Sequence, residues 1–345
     1  MNLKSLCKYV TILCGAVLLM ACSSDDSVTP QKEKTYDMTG FAKGADVSWV
    51  TKMENEGIKF YDANGRETEL LTLLRSMGVN SIRLRVWVNP SDGWSGKQDV
   101  VAKAWRAQQL GMRVMIDFHY SDTWADPASQ TIPAAWANYN LEEMKTAVAN
   151  HTKEVLQALK DKGVDVEWVQ VGNETTTGML WEVGRYSDSN KSNFAQLITA
   201  GYDAVKSVYS DAKVIVHVDQ GDKLSRFTWL FDGLKENGAK WDAIGMSLYP
   251  EDSTWESQTD NCLANIKTLE GRYNCDVVLA EVGMPWDSEN AKPFMTKIVN
   301  GCKAIDGCLG VFYWEPECYS SYNGYTKGAF DNTGKPTSTL DVFGE

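Results

Sequence analysis

Histidine is almost missing from this chain: three residues in 345, with no pair at metal-ligand spacing. The eight cysteines include no C-x-x-C pair, which argues against a zinc site. Basic side chains are also in short supply, 34 Lys and Arg against 46 Asp and Glu, for a formal net charge of −12. A surface of that sign repels nucleic acid and anionic lipid and disfavours a polyanionic substrate, so a neutral polymer fits better. No glycine-rich phosphate turn follows an early strand pattern, which removes the main argument for a doubly wound sheet. The apolar run at residues 9–20 is too short to span a membrane comfortably as a mature helix. Aromatics, by contrast, are plentiful: 13 Trp and 14 Tyr, whose flat faces suit both a core and a sugar-binding cleft.

Lys4 and Lys8 followed by that apolar run read as an export signal over residues 1–21. Leu19-Met20-Ala21-Cys22 resembles a bacterial lipobox, with cleavage before Cys22 and lipid on its sulfur and amine. Residues 22–37 then form a polar tether, and residues 38–345 one catalytic domain. The expected location is the cell envelope, at the outer membrane or cell surface, with a monomer held to the membrane through Cys22. Export permits disulfides. Spacing pairs Cys262 with Cys275 and Cys302 with Cys308, and leaves Cys318 free.

From Thr39 the chain alternates β-branched runs with amphipathic stretches. The runs cover residues 45–50, 81–88, 113–119, 167–171, 214–218, 243–247, 277–281 and 310–314. Helical patterns include 67–77, 100–110, 141–160, 194–209 and 293–302. Eight such units predict an α/β fold, a (β/α)8 TIM barrel, whose chemistry sits at the C-terminal ends of the strands. Those ends carry Asp46, Arg83, Arg85, Trp87, His119, Asn173, Glu174, His217, Asp219, Ser247, Tyr249, Glu281, Trp314 and Glu315. Ionisable groups placed there are costly unless paired or used.

Glu174 follows Asn173 at the end of the fourth run, and Glu281 closes the seventh. Retaining glycosidases need two carboxyl groups about 5–5.5 Å apart, one acting as acid/base and one as nucleophile. Glu174 suits the first role and Glu281 the second, with Arg85 near enough to hold Glu281 ionised. Asp46, Arg85, Trp87, His119, Asp122, Asn173, His217, Asp219, Tyr249, Trp286 and Trp314 are the candidate substrate contacts. Trp87, Trp124, Trp181, Trp286 and Trp314 are spread over several rim loops, which favours an open cleft.

The segments 44–48, 78–90, 117–127, 171–175, 217–219, 247–250 and 314–316 together resemble the endo-β-1,4-galactanases of glycoside hydrolase family 53, in clan A. The resemblance implies retaining endo-hydrolysis of β-1,4-galactan in pectin side chains, and it assigns Glu174 and Glu281 the same roles. Some bacterial members carry calcium after strand seven. Here residues 285–290 offer only Asp287 and Glu289, so no cofactor is expected. Another clan A endo-glycosidase, a mannanase or xylanase, and a catalytically silent glycan-binding lipoprotein are the alternatives.

Overall fold

The computed structural model describes residues 36–345. The leader, the Cys22 lipid site and the tether up to residue 35 lie outside the described residues.

The eight runs form strands β1 (Ala42–Asp46), β2 (Ser81–Val86), β3 (Arg113–Phe118), β4 (Val166–Val171), β5 (Lys213–Val218), β6 (Ala243–Leu248), β7 (Asp276–Val282) and β8 (Cys308–Trp314). Every neighbouring pair is parallel, and β8 pairs back onto β1, closing the expected (β/α)8 barrel. Outside it lie helices α1 (Val50–Asn55), α2 (Leu70–Ser76), α3 (Lys97–Gln109), α4 (Leu141–Asp161), α5 (Ser192–Val208), α6 (Leu224–Glu236), α7 (Trp255–Tyr273) and α8 (Ala291–Lys303). A short 3-10 helix, Ser338–Gly344, packs on α8.

Strand alternation splits the side chains in two. Outward residues such as Ile82, Leu84, Val114, Ile116 and Val216 join the apolar faces of the helices in one large core. On α4 that face is Met144, Val148, Val155, Leu156 and Leu159, at helical spacing. Each such side chain, fully buried, contributes roughly 1.5–3 kcal/mol. Inward residues form a second, smaller cluster that plugs the barrel: Ala42, Met115, Trp168, Ile215, Ala243, Val278 and Phe312. Above this plug, toward the C-terminal ends, the inward residues turn polar: Asp46, Arg83, Arg85, Asp117, Gln170, His217, Ser247 and Glu281, all buried.

Glu281 faces inward because β7 carries an extra residue. Leu279 pairs with Met246, but Glu281 pairs with Ser247, so Ala280 is the extra residue between them. Leu279 and Val282 both pack in the outer core. Regular alternation from the inward Val278 would have brought Ala280 and Val282 inward and sent Glu281 outward; the bulge re-aims it.

Two sequence expectations need correction. The first strand was placed at residues 45–50 but spans Ala42–Asp46, and Val50 already starts α1. The five cysteines of the domain are all free thiols, so neither Cys262–Cys275 nor Cys302–Cys308 is bridged. Cys302 and Cys308 are hydrogen-bonded neighbours with Cys262 beside them, whereas Cys275 contacts Trp241, away from that group.

Candidate active site

The two glutamates line one cleft at the top of the barrel, and the charge of Glu281 raises the cost of ionising Glu174. Glu174 leaves the end of β4 in the left-handed region, at φ 44°, a strained conformation of the kind that clusters at functional sites.

Glu281 is held at both oxygens. Arg83 Nη2 lies 3.0 Å from Oε1, and the Tyr249 hydroxyl donates to Oε2 at 2.8 Å. Arg83 is itself fully buried and also meets Asp46 at 2.7 Å and Asp117 at 2.9 Å. Its Nη2 donates to Asn173 Oδ1 at 2.8 Å, tying both strand ends together. Arg85, expected beside Glu281, pairs with Glu315 instead. Arg83 and Arg85 share the inward face of β2, and it is Arg83, deeper in the barrel, that reaches the catalytic candidates.

Glu174 has lighter support. The Ser247 hydroxyl donates to its Oε1 at 2.7 Å. His217 Nδ1 accepts the Glu174 backbone N–H at 3.3 Å, so its proton sits on Nε2, which donates to Ser247 Oγ at 2.8 Å. Burial, reinforced by Arg83, keeps His217 neutral.

These surroundings separate the two carboxyls. Burial pushes Glu281 from 4.5 up to about 7, with Arg83 and Tyr249 pulling it back down. Burial and the charge of Glu281 push Glu174 well above its usual range, against the Ser247 hydrogen bond and the charge of Arg83. Glu281 therefore ionises first, and Glu174 keeps its proton.

A cleft of about 760 Å³ opens over the pair, and Arg85, Trp87, His119, Asn173, Tyr249 and Trp314 are among its lining residues. Sequence reasoning left out other residues of that wall: Trp49, Trp94, Tyr325 and Lys327. The last two belong to the β8 loop, which carries no strand signal; Trp49 was hidden by the misplaced first strand. Past Glu174 and Tyr249 a smaller cavity of about 340 Å³ continues, lined by Asp219, Gln220, Asp222 and Gln258. A larger groove of about 940 Å³, between the 88–98 segment and α4, contains neither glutamate.

Other expected contacts sit off the cleft wall. Asp46 is sealed against Arg83, and His217 lies beneath Ser247. Asp122 accepts the backbone N–H groups of Asn89 and Ala134, bracing two rim loops. Trp286 is half-buried beside Thr326, and Trp181 is covered by Arg185. On the wall, His119 has both nitrogens occupied: Nδ1 accepts from Trp87 Nε1 and Ala125 N at 3.2 Å, and Nε2 donates to Asp117 at 3.0 Å. Asn173 donates to Ala125 O at 2.8 Å, leaving one N–H for a ligand. Among the described residues no three His, Cys, Asp or Glu side chains are grouped to hold a metal ion.

The sequence model of glycosyl hydrolase family 53 matches residues 42–343. An endo-β-1,4-galactanase of Bacillus subtilis is 34% identical over 308 residues, covering 80% of this chain and 70% of its own. An arabinogalactan endo-β-1,4-galactanase of Thermothelomyces thermophilus is 31% identical over 330 residues, covering 87% and 98%. A solved fungal β-1,4-galactanase superposes with a TM-score of 0.81 at 30% identity, covering 88% of this chain and 99% of that one. A closed barrel with glutamates at the ends of β4 and β7, matched by this family along nearly all its length, makes the chain a member of glycosyl hydrolase family 53.

Proposed function

We propose that this protein cleaves internal β-1,4 linkages of galactan with retention of configuration, Glu174 acting as acid/base and Glu281 as nucleophile. The observation that carries the reading is the unequal support of the two carboxyls. Glu281, fixed by Arg83 and Tyr249, is the group that ionises and attacks the anomeric carbon. Glu174, with Oε1 fixed by Ser247, presents its proton on the other oxygen to the departing glycosidic oxygen. It then takes a proton from the water that releases the glycosyl-enzyme. The tryptophan-rich cleft supplies stacking faces for a neutral chain, and the galactanase relatives supply the choice of galactan over mannan or xylan.

Incubation with galactan, mannan and xylan, with product sizing and proton NMR, tests this reading. Galactan alone should yield mixed oligosaccharides, with the β-anomer appearing first. Preference for another glycan, or an α-anomer appearing first, would reject it. The lipobox around Cys22 supports a membrane-anchored form; Cys22→Ala should release soluble protein or leave an unprocessed precursor.

A further inference from the structure

Beneath the cleft lies a buried acid that the proposed chemistry does not use. Glu317 follows β8, is 0% exposed, and neither of its carboxyl oxygens has a hydrogen-bond donor in good geometry. Its neighbours are its own peptide N–H and the carboxyl of Glu315. Glu315 is differently placed: it pairs with Arg85 and accepts the Trp49 backbone N–H at 3.2 Å. Two carboxylates in contact cannot both ionise, so the one with cationic and N–H partners takes the charge and the other keeps its proton.

Arg85 is the link to substrate. Its guanidinium carbon lies 5.0 Å from the ring of Trp49, 5.4 Å from that of Trp87 and 4.4 Å from that of Trp124. All three rings line the cleft, and Trp49 also meets Trp314 edge to face at 5.4 Å. A cation at the meeting point of three aromatic faces holds them in one arrangement.

We propose that Glu317 is a positioning residue for substrate binding: a neutral carboxylic acid that donates its proton to Glu315, fixing Arg85 and so the tryptophan floor of the cleft. The groups facing the dyad are Arg85 from β2, Asp46 from β1, Lys103 from α3, and Cys318, Tyr322 and Tyr325 from the segment after β8. Burial and Glu315 both favour the protonated form. Above the pH at which that proton leaves, two carboxylates face each other and the floor loosens.

The full chain is compared with Glu317→Gln, which can still donate to Glu315, and Glu317→Leu, which cannot. On galactan, Glu317→Leu should raise KM about tenfold with a much smaller change in kcat, the loss of one hydrogen bond to a charged group, while Glu317→Gln stays near wild type. Tryptophan emission of the ligand-free protein should shift in Glu317→Leu, and at alkaline pH in wild type but not in Glu317→Gln. A folded Glu317→Leu with wild-type KM and emission would overturn the proposal, as would a Glu317→Gln as impaired as the leucine variant. Should Glu317→Leu not fold, an alkaline emission shift persisting in Glu317→Gln overturns it. The proposal rests on the cleft being the galactan site, but emission needs no substrate. A wild-type protein inert on galactan would thus remove the activity and leave the dyad to be judged separately.

Discussion

At the scale of single residues, the division of labour between two identical side chains comes from what touches them. In the proposed roles Glu174→Gln removes the proton donor but leaves the nucleophile, so activity on galactan should fall by about 10²–10⁴-fold. An aryl galactoside, whose leaving group needs no proton, should retain much of its rate in the first step; equal loss on both substrates would contradict the assignment. Tyr249→Phe tests the other carboxyl. The tyrosine hydroxyl stabilises ionised Glu281, and without it the carboxyl titrates higher. A hydrogen bond to a charged group is worth about 1.5–3 kcal/mol, so the acid limb of kcat/KM should move up by about one to two pH units. An unmoved limb would mean that Glu281 does not set it. Glu174 and Glu281 were legible because a carboxylate closing an apolar run has few structural uses. Arg83 was named at its strand end yet passed over for Arg85, because alternation puts both on one face and only depth in the barrel separates them. Glu317 left no signal, since nothing in Trp314-Glu315-Pro316-Glu317 says which acid faces a cation.

At the scale of elements, the strands were legible where apolar alternation and turn residues agree. They were misread where another packing rule intervened. Strand β1 begins at Ala42, with Lys43 and Gly44 inside it; at Gly44 a Cβ would lie 2.2 Å from the Phe312 ring, so the plug residue dictates a glycine in mid-strand. Val47, Trp49 and Val50 continue the apolar pattern but belong to the turn and α1. The extra residue Ala280 is invisible in the sequence, because Val278, Leu279, Ala280 and Val282 are all acceptable on either face of a buried strand. Helix α4 is the opposite case, with its start written in the chain. The Asn140 side chain accepts from the Glu142 and Glu143 N–H groups, while Glu143 accepts the Asn140 N–H at 2.9 Å, a complete capping box. Asn140→Ala should cost about 1 kcal/mol. In a domain of this size that lowers Tm by roughly 1–2 °C, with kcat unchanged because the cap is remote from the glutamates. Calorimetry beside an activity assay checks both halves.

At the scale of the whole molecule, the buried acids make stability depend on pH in a direction opposite to that of a surface ion-pair protein. Glu174, Glu281 and Glu317 all titrate above 4.5 in the fold, chiefly through burial. Above the ordinary carboxylate range the folded chain therefore holds protons that the unfolded chain has released, and stability falls as pH rises. Two histidines, His217 buried and His151 half-buried, act the other way. His217 is held below 6.5 and His151 is brought down to about 4, so the unfolded chain gains their protons as pH drops below about 6.5 and stability is lost on that side. Acids such as Asp117, lowered by Arg83 against burial, add their loss at still lower pH. The raised acids outnumber the histidines, so below about pH 6.5 the histidines only flatten the decline that starts above the ordinary carboxylate range, and above about 6.5 the carboxyls alone set the trend. Tm measured by calorimetry should decline from pH 6.5 to 8. Glu174→Gln removes a carboxyl held protonated by burial and by the charge of Glu281 and should flatten that decline, unfolding several degrees above wild type at pH 8 while being far less active. A Tm that is level or rising over this interval, or a Glu174→Gln variant that tracks wild type through it, would show that these carboxyls are not held protonated. The same burial that would keep Glu174 protonated for its proposed role thus makes the active site a part of the barrel that alkaline pH weakens.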